Sequence, residues 1–150
     1  MRFIAVLALV ASASAFANEY VSKTVSFSVG GRGGLNYSYY NCDSVEDTVE
    51  SHLEKLGATN ISVRCSGGLQ YPSPMPPMPA FVKASFDAPV PNGGVVENLT
   101  LKARFDQNCE VNTTALNAIL PQMPSVTVLA KRDSCFDNRT RWFYDLSIVQ

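Results

Sequence analysis

The residues best equipped for chemistry in this chain are four cysteines: Cys42, Cys65, Cys109 and Cys135. Cysteine side chains either bind soft metals or pair as disulfides. A zinc site wants further thiol or imidazole ligands at short spacing. No Cys-x-x-Cys occurs and His52 is the only histidine, so no metal site is expected. In an exported chain an even cysteine count reads as disulfides, and four cysteines allow three connectivities. The spacing favours Cys42–Cys65 with Cys109–Cys135, because each pair brackets one helix-plus-strand unit and the two separations are similar.

Other catalytic chemistry finds little footing. Nucleophilic catalysis needs a nucleophile, a base and an orienting group. Serines are plentiful, but there is one histidine and no Gly-x-Ser-x-Gly. Two carboxylates could hydrolyse a glycosidic bond in principle, yet nothing marks such a pair. Glu46, Asp47, Glu50 and Glu54 read as the solvated face of a helix, and His52 as a packing residue at its border. The glycine run at 30–34 is followed by a strand, not a helix, so it reads as a hairpin turn rather than a phosphate loop. Met75 and Met78 lie three apart in a proline-rich run, too few for a copper site. No cofactor is expected, and the chain reads as non-catalytic.

The remaining chemistry is recognition. Arg64, Lys83, Lys102, Arg104 and Arg141, with Tyr40 and Phe143, fall on outward positions of alternating strands. Arginine and aromatic side chains on a rigid surface make good contact points. A polar sheet face built from them could hold a protein or a glycan. The leading expectation is therefore a binding protein. The alternatives are a small extracytoplasmic enzyme and a structural envelope component that associates through a strand edge.

The elements that position these residues follow from periodicity. Strands are expected at 24–29, 35–41, 60–65, 80–88, 95–105, 125–131 and 140–149, each alternating apolar and polar. Val45, Val49, Leu53 and Leu56 form one helical stripe, with Asp43 or Ser44 as cap and Gly57 as stop. A second helix spans about 112–120, with Leu116, Ile119 and Leu120 inward. Asn-Cys opens both helices. Residues 71–79 carry five prolines and suit an extended connector. The class is α+β: a mainly antiparallel sheet with two helices on one face. The order reads as two ββαβ units, about 22–68 and 80–136, plus a C-terminal strand. Clean alternation implies one wet face.

Residues 1–17 follow the pattern of a signal peptide: Arg2, an apolar run, then Ala15-Phe16-Ala17. The apolar run is short for a membrane span. Residues 18–150 fit one domain. The full chain has 12 basic and 13 acidic residues, a net charge of −1. That balance leaves no footprint for nucleic acid or anionic membranes, and beyond residue 17 no long uncharged apolar stretch suggests insertion into a membrane. Five Asn-x-Ser/Thr sequons occur, at Asn36, Asn60, Asn98, Asn112 and Asn138; they matter only in a glycosylating secretory pathway.

The segment YYNCDSVEDTVESHLEKLGATNISVRCSGG, from Tyr39 to Gly68, resembles a recurring segment of small exported bacterial proteins of unassigned function. The resemblance implies a periplasmic or secreted setting. It carries no activity and no site residue.

Overall fold

The computed structural model describes residues 19–33, 36–69, 76–104, 108–135 and 141–149. The signal-peptide segment, Met75, Phe105 and Asn138 lie outside the described residues, as does the side chain of Arg104. The described elements are β1 (Tyr20–Val29), β2 (Gly31–Gly33), β3 (Asn36–Ser38), α1 (Cys42–Lys55), β4 (Thr59–Gly67), β5 (Ala80–Pro89), β6 (Val96–Arg104), α2 (Cys109–Ile119), β7 (Val126–Arg132) and β8 (Arg141–Val149). A short 3-10 turn, Leu120–Gln122, extends α2.

The class is α+β with antiparallel pairing, as expected. The strands form two three-stranded sheets, ordered β1-β5-β4 and β6-β8-β7, and a two-stranded ribbon, β2-β3. The repeat has a different phase from the one read off the turns. β5 lies between β1 and β4, and so completes the first unit instead of opening the second. β8, expected as a lone final strand, takes the same central place in the second unit. The duplicated unit is therefore βαββ, over 20–89 and 96–149. The proline-rich run falls inside the first unit, between β4 and β5. The physical reason is pairing: alternation shows which face a strand buries, but not which neighbour receives its hydrogen bonds.

Helix α1 starts a residue or two before the expected cap. Asn41 is the N-cap, and its side chain accepts the Asp43 N–H at 2.8 Å. Cys42 is thus the first helical residue, not the end of a strand. The helix stops as the glycine implies. Gly57 has φ 80°. Its N–H donates to the Glu54 carbonyl, and the Ala58 N–H donates to the Leu53 carbonyl. Those two bonds make a Schellman closure. The apolar stripe Val45, Val49, Leu53 and Leu56 is fully buried against β4 and β5. Beneath it β5 turns Ala80, Val82, Ala84, Phe86 and Ala88 inward. The second core half is built by Leu116, Ile119, Trp142, Tyr144, Leu146 and Ile148. Both halves belong to one contiguous cluster.

Each unit carries its own bridge. Cys42 pairs with Cys65 and Cys109 with Cys135, with Cα separations of 5.4 and 5.8 Å. Each ties a helix N-terminus to the far end of the following strand or just beyond it. Two such bridges fit an oxidising compartment. Among the described residues no helix is long and apolar enough to cross a membrane.

Polar contacts lock the two units together. Glu110, in the first turn of α2, accepts the Gly30 N–H and the Tyr40 hydroxyl, each at 3.0 Å. Gly30 needs its glycine: φ is 79°, and a Cβ would sit 2.5 Å from the Ser38 carbonyl oxygen. His52 Nε2 lies 2.7 Å from Asn112 Oδ1, and its ring meets Trp142 edge-on at 6.2 Å. His52 is buried, which suits the packing role expected of it. Replacing Tyr40 by Phe keeps the ring and deletes one charge-assisted hydrogen bond. The expected loss is about 1.5 kcal/mol, measured by urea denaturation.

Candidate functional site

The expected basic face does not form as one surface. Arg64 and Lys83 lie on the first sheet; Lys102, Arg104, Arg141 and Phe143 lie on the second. Tyr40 is on neither. It is half-buried against the core, with its hydroxyl on Glu110. Its outward placement from strand alternation fails because residues 39–41 leave the strand before α1 begins.

The outer face of the second sheet follows from what β8 buries. Trp142, Tyr144, Leu146 and Ile148 face the core, so Arg141, Phe143, Asp145 and Ser147 face out. Residues directly opposite on neighbouring strands share that face. Lys102 on β6 and Arg132 on β7 flank Phe143 in one row. In the next row Arg104 is registered opposite Arg141. In the row on the other side of Phe143, the Asp145 carboxylate accepts the Thr100 hydroxyl at 2.7 Å. Lys102, Arg132 and Arg141 are exposed.

Arg132 was not among the sequence candidates because the expected strand stopped at residue 131, whereas β7 runs to Arg132; the face it takes is set by a local irregularity. A register shift falls between Val128 and Ala130. Strict alternation would have kept Arg132 in phase with Val126 and Val128. The irregularity reverses the phase, as an inserted residue does. Ala130 and Arg132 then lie opposite the outward Asp145 and Phe143, while Lys131 lies opposite the inward Tyr144. The Lys131 ammonium sits 5.9 Å from the Tyr144 ring centre and 2.9 Å from both Asp133 Oδ2 and Asn117 Oδ1. Burial raises the Tyr144 phenol above its ordinary range, so it stays protonated and bonds Asn117 Oδ1 at 3.1 Å. Lys131–Asp133 is the one ion pair among the described residues. Lys102, Arg132 and Arg141 therefore carry no ion-pair partner among the described residues.

The outer face of the first sheet is different in composition. Its rows read Ser26–Lys83–Arg64 and Ser28–Phe81–Ser66, followed by Thr24–Ser85–Ser62. Arg64 and Lys83 are exposed and directly opposite each other. Phe81 was missed from sequence because it is the outward residue of a strand scored by its inward ones.

These arrangements can attract anions and present flat aromatic and hydroxyl surface. Among the described residues no group of three His, Cys, Asp or Glu side chains is placed to hold a metal ion. Glu46 and Glu110 are both engaged, the former receiving the Cys65 N–H at 2.5 Å. The chain matches no protein-family model, no curated protein and no solved structure.

Proposed function

We propose that the protein is an exported binding protein that holds an acidic partner on the outer face of its second sheet. The observation that carries this reading is the set of four cationic positions around Phe143: Lys102, Arg104, Arg132 and Arg141. Like charges opposite one another weaken a sheet, and Lys102, Arg132 and Arg141 have no carboxylate partner among the described residues. A folded chain with net charge −1 that concentrates cations here has a local field opposite in sign to its total. That field suits an anionic glycan or an acidic protein surface. The strands beneath are tied by backbone ladders, so the charges are held ready rather than gathered on binding. Export is supported by the apolar N-terminal pattern and by the two disulfides.

The test is retention on an immobilised anionic polymer such as dextran sulfate, eluted by salt. The wild-type chain is expected to be retained and released as ionic strength rises. The triple variant Lys102→Gln, Arg132→Gln, Arg141→Gln is expected to elute at markedly lower salt. Identical elution of the two proteins would remove the face from consideration.

A further inference from the structure

We infer that the outer face of the first sheet carries a second, separate site, and that its ligand is a saccharide bearing acidic groups. A shallow open depression of about 420 Å³ lies there, with Phe81 and Lys83 of β5 between Ser26 and Ser28 of β1 and Ser66 of β4. Its open form suits a ligand laid along the sheet rather than one enclosed.

Three features of the lining and its border, where Arg64 lies opposite Lys83, select the ligand. The first is Phe81. It is 51% exposed on the central strand of its sheet, with only serines opposite it on both sides. Small neighbours leave the face of the ring open. An open ring offers an apolar, electron-rich plane, which suits the axial C–H face of a pyranose. The second feature is the hydroxyls of Ser26, Ser28 and Ser66. Each can donate or accept, so together they match the mixed demands of sugar hydroxyls. The third is the Lys83–Arg64 pair, one row from Phe81, with two cations opposed and no carboxylate between them. The nearest acid on this face, Asp87, is already used. Its carboxyl is held below the usual range by Asn60 and then Ser22, which donate to its two oxygens.

Other ligand classes fit less well. A lone inorganic anion would use the two cations and leave Phe81 idle. An extended peptide would add to a free strand edge, whereas this site lies over the central strand. The site is also rigid: Cys65, between Arg64 and Ser66 in β4, is bridged to the start of α1.

This site is independent of the second-sheet face, and one experiment separates them. The exported chain would be titrated with a galacturonate oligomer, a neutral galactose oligomer of equal length, inorganic phosphate and an acidic peptide. Affinity and response would be read from the amide shifts of this site's own residues in NMR, because calorimetry would also register the second-sheet face. The galacturonate oligomer is expected to shift Ser28, Ser66, Phe81 and Lys83. The neutral oligomer, and the Phe81→Ala variant with the acidic one, are each expected to bind about tenfold more weakly. Lys83→Gln with Arg64→Gln should erase the preference for the acidic oligomer. Lys102→Gln with Arg141→Gln, on the second sheet, should leave the amide shifts at Ser28, Ser66, Phe81 and Lys83 unchanged while weakening any binding of the acidic oligomer to that other face. Phe81 is exposed, so its loss does not threaten folding. No shift at these residues with either oligomer would overturn the assignment. So would equal affinity of Phe81→Ala and wild type, or an equal response to phosphate or to the acidic peptide.

Discussion

Replacing all four cysteines by alanine is expected to leave the chain largely unfolded, and replacing one pair to cost about 3.5 kcal/mol. The bridges close loops of 23 and 26 residues. Loop-closure entropy at that length amounts to about 3.5 kcal/mol for each, if the native state is unstrained. Their sum, about 7 kcal/mol, is comparable with the whole stability of a small domain, about 5–15 kcal/mol. The second bridge has an added packing component, because Cys109 is buried within the core cluster. The check is urea denaturation of the oxidised wild type, each double variant and the quadruple variant, followed by circular dichroism. Midpoints that do not move when a pair is lost would mean that the bridge constrains nothing the fold does not already hold.

The bridges were also what the sequence stated most clearly, and the reason is that they are local. Each cysteine pair encloses one helix and one strand, so the pairing can be read from spacing alone. The helices were legible for the same reason. A stripe such as Val45, Val49, Leu53 and Leu56 repeats within one element, and Gly57 punctuates it. Burial of β5 and β8 was equally plain, because alternation is a property of single strands. Partnership between strands is not. β1 and β5 are separated by more than fifty residues, and nothing within either one names the other. A glycine-rich turn after β1 suggested a neighbour in the next strand, and the sheet instead took β5. The repeat was seen but placed out of phase.

The site was less legible than the fold, for a related cause. Outward residues are chosen by sheet order as well as by alternation. With one sheet assumed, Arg64 and Lys83 joined Lys102, Arg104 and Arg141. With two sheets they part into separate faces. Arg132 lay one residue past the expected strand, and its face is set by the irregularity in β7, because a shift of one residue exchanges the two faces of a strand. Tyr40 failed in the opposite sense, since its alternation ran past the end of its strand. Phe81 was passed over because its strand was read by its inward residues, and its neighbours Ala80 and Val82 take that inward side.

Leu53→Ala is expected to lower stability by about 3 kcal/mol and, more tellingly, to shift the unfolding of a residue in the other repeat. Leu53 is fully buried on α1, and the truncation leaves a cavity in the core cluster where α1 packs on β4 and β5. Leu-to-Ala changes at such sites cost about 2–5 kcal/mol, depending on how far the walls collapse. The change leaves the Leu53 carbonyl in place, so the closing turn at Gly57 is preserved. The single tryptophan, Trp142, lies in the second repeat. If the repeats were independent, its fluorescence transition would not respond to a cavity in the first. Three contacts argue that it responds. α1 packs on α2, His52 lies against both Asn112 and Trp142, and Glu110 holds Gly30 and Tyr40. The core has no boundary between the repeats, since both contribute to one cluster. A cooperative unit of that kind unfolds in a single step. Trp142 fluorescence and far-ultraviolet circular dichroism should therefore move together to a lower urea midpoint. A fluorescence midpoint that stays at the wild-type value while the dichroism splits into two steps would show two separately folding repeats.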